Sequence, residues 1–395
     1  MSGDPFLELK REAYRWLSDE RARAGMERAS ASFEASRRLL EGNAYVEELA
    51  REVREVKRRA LRELESLVAR ARESLERNGA HVVVARTRDD ALRAVGDIVG
   101  SGKLVVKSKS IVTEELGLRE YLRGLGNEVW ETDLGEFLLQ ISGNRPSHFV
   151  AVSMHLPREE VLDLLREKLN YRGPGDVPSM VGAVREFLRD RIMRADVGIT
   201  GANAVAAEDG AVVQVENEGN ARLTGTVPPV NVVVTGIDKV VPTLVDAFRV
   251  ALLESYYVGG TPPTYVNVTS GPSGTRDVEH VLVRPAQGAK EMHVVLVDNG
   301  RSAALGTPLE EVLACIRCGS CQLACPVLTT VGPAWSSGAY MGGIGVLWTA
   351  ITMGAGAARP LADMCAECRV CEEYCPMGIR VGLLAGEIKR GAGQT

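Results

Sequence analysis

The first 314 residues of this 395-residue chain contain no cysteine, and all eight cysteines fall in the last 81. Structural disulfides are normally spread over the fold they staple, so this distribution argues against a disulfide-built secreted protein. A tight cluster of thiols points instead to metal. A long Lys/Arg run is also missing and the net charge is −5, which argues against nucleic-acid binding. The start, Met1-Ser2-Gly3-Asp4-Pro5, has neither a secretory apolar stretch nor a twin-arginine pair, so a cytoplasmic location is expected. No Walker motif, nucleophile elbow or His-Glu-x-x-His occurs. None of the five histidines (His81, His148, His155, His280, His293) has metal-ligand spacing with another. Each reads as a structural histidine, and only His155, just after an expected strand, is kept as a site candidate.

What is present divides the chain. With 45% hydrophobic and 25% charged residues over this length, two or three globular domains are expected. Residues 1–78 read as a helical segment packing on the next domain, with Val53, Val56, Leu61, Leu64 and Leu67 as an apolar stripe. The stripe predicts two surface helices; it is too short to define a coiled coil. From residue 79 to 300, β-rich runs alternate with helical patterns. Strands are expected at His81–Ala85, Leu104–Lys107, Phe149–Val152, Val197–Thr200, Ala211–Val215, Val230–Val234, His280–Arg284 and His293–Asp298. Helices are expected at Thr113–Leu125, started by Thr113-Glu114-Glu115, and at Arg158–Leu169. This alternation implies an α/β domain with a largely parallel sheet.

Residues 305–395 read as a separate, mainly helical module. Its uncharged stretch from Gly338 to Ala358 imitates a membrane span. Seven glycines and two prolines between 326 and 358 argue against spanning, as does the need for the flanking cysteines to meet. The stretch reads as core and loop, with a redox-partner docking patch as the alternative.

The cysteines form two copies of one pattern: Cys315-x2-Cys318-x2-Cys321-x3-Cys325-Pro326 and Cys365-x2-Cys368-x2-Cys371-x3-Cys375-Pro376. Steps of three let three thiolates turn inward from one loop, while the fourth leads into the next segment. In two-cluster ferredoxins the fourth cysteine serves the other cluster. The expectation is two [4Fe–4S] clusters, one on Cys315, Cys318, Cys321 and Cys375, the other on Cys325, Cys365, Cys368 and Cys371. Zinc sites usually show separated Cys-x2-Cys pairs rather than a triple followed by Cys-Pro. The long gap between the motifs and the helical flanks look like the α-helical ferredoxin module of succinate dehydrogenase and heterodisulfide reductase iron–sulfur subunits.

The α/β region has weaker signals. Lys107-Ser108-Lys109-Ser110 ends a strand before a helix and offers either an anion site or a solvated loop. Gly198-Ile-Thr-Gly201-Ala202-Asn203 is not GxGxxG, so a dinucleotide reading is weak. Glu216-Asn-Glu-Gly219-Asn220-Ala-Arg222 has the composition of a turn. If the domain binds an anion or substrate, the candidates are Lys107, Lys109, Asn203 and Glu208, the lysines as carboxylate or phosphate partners and Glu208 as a base.

Taken in order, the chain resembles the lactate-utilisation B family. The resemblance is carried by Val105-Val-Lys-Ser-Lys-Ser-Ile-Val-Thr-Glu-Glu115, Glu131-Thr-Asp-Leu-Gly-Glu136, Pro146-Ser-His148 and Ala195-Asp-Val-Gly-Ile-Thr-Gly-Ala-Asn203. It continues through Asn217-Glu-Gly-Asn-Ala-Arg222, Gly236-Ile-Asp-Lys239, Val241-Pro-Thr243, Val297-Asp-Asn-Gly300 and Cys315-Ile-Arg-Cys-Gly-Ser-Cys321. Ala207-Glu208-Asp209-Gly210 departs from the Ala-Glu-Thr-Gly common in the family, and relatives usually carry a further tail. The resemblance implies a LUD domain, similar in fold to the sugar-phosphate isomerase and CoA-transferase group. It implies an oxidoreductase subunit, rather than a complete enzyme, that passes electrons from NAD-independent L-lactate oxidation. It implies a cysteine-rich partner subunit, a second LUD-domain subunit, a quinone-linked acceptor, and membrane contact only through such partners. An iron–sulfur oxidoreductase for another hydroxy acid or a disulfide, and a non-catalytic docking carrier, are the competing readings.

Overall fold

A computed structural model describes residues 5–391. Four helices come first: Pro5–Ser18, Glu20–Arg38, Ala44–Arg62 and Leu64–Arg77. They replace the two that the apolar stripe suggested. Asp19 and Asn43 cap the second and third by accepting backbone N–H bonds from Ala22 and Val46. The stripe itself holds, since Val46, Leu49, Val53, Val56, Leu61, Leu64 and Leu67 are all buried. The first two helices lie against both the α/β domain, where Glu12 pairs with Arg145 at 3.0 Å, and the cysteine-rich module. Ser30 donates to the Leu323 carbonyl at 3.0 Å, and Tyr374 donates to Glu34 at 2.8 Å.

Ten strands follow: β1 (His81–Ala85), β2 (Leu104–Lys107), β3 (Glu128–Glu131), β4 (Val197–Thr200), β5 (Ala204–Ala206), β6 (Ala211–Glu216), β7 (Val230–Gly236), β8 (Val240–Val241), β9 (Tyr265–Thr269) and β10 (Glu291–Val297). Six of them form a sheet in the order β1-β10-β7-β4-β2-β3, parallel throughout. The apolar runs are continuous because both faces are covered. On β10, Val294 and Leu296 face one core, and Val295 and Val297 face the other. A second sheet, β8-β5-β6-β9, packs under the helices Ala44–Arg62, Leu64–Arg77 and Leu244–Gly259.

Two expected strands are absent. Residues 149–152 form turns, because His148 Nδ1 accepts the N–H groups of Val150 and Ala151 at 3.1 and 3.0 Å and the N–H of Phe149 goes to Gln322 at 2.9 Å. These donors are therefore unavailable to a ladder. Residues 280–284 form a loop with a single bridge, Thr275 to Val283; Glu279 and His280 adopt positive φ. The helix expected from Thr113 begins at Ile111 with Ser110 as its cap residue, and Gly117, at φ 66°, divides it into Ile111–Leu116 and Leu118–Gly124. Glu114 and Glu115 are not solvated dipole partners; they point inward to Lys107 and Arg301.

The last part is helical, as expected, with Gly342–Met353 buried along most of its length. Trp335, Tyr340 and Trp348 belong to the same continuous apolar core as the second sheet and the N-terminal helices. Among the described residues no helix is long and apolar enough to cross a membrane.

Candidate functional site: a cleft beside the first cysteine loop

The two cysteine motifs fold alike. Each places its second and third intervening positions at positive φ: Arg317 (65°) and Gly319 (76°) in the first, Glu367 (54°) and Arg369 (64°) in the second. These left-handed residues reverse the chain between successive cysteines. One short helix follows in each, Ser320–Leu323 and Val370–Glu373. All eight cysteines are free thiols.

Cys315, Cys318 and Cys321 line one cavity together with Cys375 from the second motif. Its other walls are apolar, including Phe149, Ile344 and Val381. Burial pushes the Cys318 thiol up to about 12 and Cys375 up to about 11, and the neighbouring thiols of this set push in the same direction. Cys325 lies in the field of Cys365 and Cys368, and Cys371 in the field of Cys325, Cys365 and Cys368. Cys321 also senses Cys371, so the two sets adjoin there. In the first set the Arg317 and Ile379 N–H groups donate to the Sγ atoms of Cys315 and Cys375, both at 3.4 Å. Free thiols converging on one apolar cavity, with N–H groups aimed at sulfur, suit a thiolate-ligated iron–sulfur group, whose iron would offset the cost of burying thiolates. The second set reaches the surface, where Cys368 is exposed.

A cleft of about 240 Å³ opens next to this cavity. It lies at the carboxyl ends of β2, β4 and β7. The chain leaves β2 toward β3 on one side and leaves β4 toward β7 on the other. Such a switch point is where open α/β sheets bind ligands. Two close approaches shape it. A Cβ on Gly198 would fall 1.8 Å from the Thr224 carbonyl, and one on Gly201 would fall 2.7 Å from Ser110 Oγ. These glycines therefore serve strand and loop packing rather than a dinucleotide.

Of the candidates from sequence, Lys109 and Asn203 line the cleft. Lys109 is held by Asp133 at 2.8 Å and the Val150 carbonyl at 3.0 Å. Asn203 donates to Glu254 at 2.8 Å and accepts from the Val215 N–H at 2.9 Å. Lys107 is elsewhere: it is fully buried, 2.9 Å from Glu131 and 3.0 Å from Glu114. Burial opposes its charge, but these two carboxylates and Glu136 outweigh that and hold its pKa above the ordinary value. Glu208 is exposed between β5 and β6, 3.3 Å from Arg70. His155 is buried, with Nδ1 2.9 Å from Ser147 Oγ and its ring edge-on to Trp16.

Sequence reasoning did not select His148, Phe149, Lys239, Glu254 and Arg317. His148 Nε2 is 3.1 Å from the Gly319 carbonyl, which only accepts, so Nε2 carries a hydrogen, while Nδ1 accepts two N–H groups and carries none, which makes the imidazole neutral; burial lowers its pKa to about 4. A Cβ on Gly319 would fall 2.2 Å from that Nε2. Phe149 lines both the cleft and the cysteine cavity. Arg317, inside the first cysteine motif, also lines the cleft; it donates to the Cys315 carbonyl at 2.7 Å and to Asp238 at 3.0 Å, and stacks 3.6 Å over Trp348. Asp238 also accepts from Arg301 at 2.6 Å, and the two arginines hold its pKa well below the carboxylate range. Gly236-Ile-Asp-Lys239 and Pro146-Ser-His148 are contained in the stretches of family resemblance, but no spacing in the sequence tied them to the cysteines. Glu254, in mid-helix, carried no signal.

These features define a LUD-domain protein joined to an iron–sulfur module. The LUD domain family matches residues 68–297, and the 4Fe-4S dicluster domain family matches residues 311–379. Lactate utilization protein B 1 of Bacillus mycoides is 38% identical over 329 residues, 82% of this chain and 67% of that protein. Lactate utilization protein B of Bacillus subtilis is 36% identical over the same shares of the two chains. An uncharacterized electron transport protein of Escherichia coli, YkgF, is 35% identical over 84% of this chain and 68% of its own length. The chain belongs to the lactate utilization protein B family. A solved DUF162 family structure from Deinococcus radiodurans covers 59% of this chain and 98% of its own, at 12% identity and a TM-score of 0.32.

Proposed function

We propose that this chain is the iron–sulfur electron-transfer subunit of an NAD-independent system that oxidises L-lactate to pyruvate, carrying two [4Fe–4S] clusters. The observation that carries this reading is a shared wall: Phe149 and the first cysteine loop separate the LUD cleft from a cavity lined by four thiols. Cys315, Cys318, Cys321 and Cys375 would hold the first cluster, and Cys325, Cys365, Cys368 and Cys371 the second. When bound, such clusters accept and release single electrons. The protein's own part is to bind, orient and exclude water. His148 and Gly319 fix the first loop, Arg317 places a cation beside it, and the Cys321–Cys371 side joins the sets. Exposed Cys368 marks the exit toward an acceptor, which supports flow from the cleft to the first set, then the second, then a partner. The α/β part is read as an isomerase/CoA-transferase-type fold, supported by a parallel sheet with its cleft at the strand ends. A cysteine-rich subunit and a second LUD-domain subunit would complete the system.

The test is to purify the assembled system anaerobically, add L-lactate and record cluster reduction by EPR. Reduction by L-lactate is expected. No reduction by L-lactate, with reduction by another hydroxy acid or a dithiol, would replace this reading with that substrate.

A further inference from the structure

The cations of the cleft are not equivalent. Lys109 is held by Asp133 and the Val150 carbonyl, and Arg317 by Asp238 and the Cys315 carbonyl. Lys239, just after β7, is half-buried and lines the cleft, yet among the described residues its ammonium has no hydrogen bond or ion pair. Burying an ammonium in part without a partner is unfavourable, and a carboxylate ligand would relieve that. The carboxylates of Glu254 and Asp238 act on it favourably and the Arg317 guanidinium unfavourably, with no hydrogen bond or ion pair to any of them among the described residues. One oxygen of Glu254 accepts the Asn203 amide at 2.8 Å, and among the described residues the other accepts nothing. Glu254 would repel a plain carboxylate, but it would accept a hydroxyl hydrogen from the carbon next to that carboxylate.

We propose that the cleft is the binding site for a small 2-hydroxy carboxylate, with the ligand's carboxylate on the Lys239 ammonium and its C2 hydroxyl donating to Glu254. Val215, Val258 and Phe149 supply the apolar wall for a short alkyl group. The volume, about 240 Å³, is below the roughly 300–1,000 Å³ of sites for drug-sized molecules and suits an acid of a few carbons. The choice of hydroxy acid rests on the lactate reading above; the anion site at Lys239 does not.

The experiment is calorimetric titration of the full cluster-loaded chain with L-lactate, propionate and pyruvate. L-Lactate is expected to bind about 10-fold or more tightly than propionate, which lacks the hydroxyl, and more tightly than pyruvate, whose C2 oxygen cannot donate. Lys239→Met should weaken L-lactate about 10-fold or more, Lys239→Arg should retain part of the affinity, and Glu254→Gln should narrow the preference over propionate. Arg70→Ala, on the exposed ion pair with Glu208, should change nothing. Iron content and circular dichroism report folding. If Lys239→Met does not fold, protection of Lys239 by L-lactate against amine acylation of the native chain, read by mass spectrometry, replaces it. Unchanged affinity in folded Lys239→Met, or no protection, overturns the site. Lactate binding without cluster reduction would overturn the electron-transfer reading and leave the site intact. Cluster reduction with affinity independent of Lys239 would do the reverse.

Discussion

His148 should make stability depend on pH in a window where few other groups change. Its imidazole is buried and neutral: Nδ1 accepts from Val150 and Ala151, and Nε2–H donates to Gly319. Protonating Nδ1 would break two bonds and place a charge in the interior. Burial therefore lowers the pKa from 6.5 to about 4. A depressed folded pKa means that the unfolded chain binds more protons in between, so stability is full above pH 6.5 and is lost as pH falls toward 4. From pH 7.5 to 5.5 the loss from this residue is about 1.4 kcal/mol, since half the titration of an ordinary histidine lies on each side of 6.5. His148→Asn removes the titration. At pH 7.5 it should destabilise by about 1–3 kcal/mol through lost and unpaired hydrogen bonds. At pH 5.5 its deficit relative to wild type should be smaller by about 1.4 kcal/mol. Urea unfolding of both proteins at the two pH values gives this double difference, in which His155 and the surface groups cancel. A deficit that stays constant with pH would refute the neutral, buried assignment.

Cys325→Ala should remove the spectroscopic signal of the cluster held with Cys365, Cys368 and Cys371 and spare the other; loss of the Cys315–Cys318–Cys321 cluster instead would disprove the exchange of fourth ligands. Lys107→Met should cost about 3–5 kcal/mol in urea unfolding by taking the ammonium from buried Glu131, which keeps only Arg119 at 3.3 Å, and from half-buried Glu114, and a cost under about 1 kcal/mol would contradict the buried ion cluster. Lys57, buried against the Asp238 carbonyl, has its pKa lowered by burial to about 8 from 10.5. The folded chain then binds fewer protons between these values, so stability should rise with pH across that window, and a Lys57→Met variant with the same slope would exclude this cause.

Local patterns carried most of the elements. Parallel strands buried on both faces are continuous apolar runs, and these were legible at β1, β2, β4, β6, β7 and β10. Phe149–Val152 had the same composition, but a histidine side chain took its N–H groups, which no period in the sequence reveals. The helix at Ile111–Leu116 was legible from its small polar start, but the inward turn of Glu115 depended on Arg301, far along the chain, and that of Glu114 on the burial of nearby Lys107.

By itself the sequence determined the thiol chemistry, because a Cys-x2-Cys-x2-Cys-x3-Cys-Pro repeat constrains its own geometry within a few residues. It also determined the α/β character of the middle region, because strand and helix periodicities are local. Only the tertiary structure decided where that chemistry sits. Lys107, Lys109, Asn203 and Glu208 were equivalent as isolated polar residues, and folding buried the first, brought the next two to one cleft and left the last at the surface. The same folding carried Arg317 and Phe149 to the wall between cleft and cysteines, a meeting of segments about 170 residues apart that is set by packing rather than by spacing.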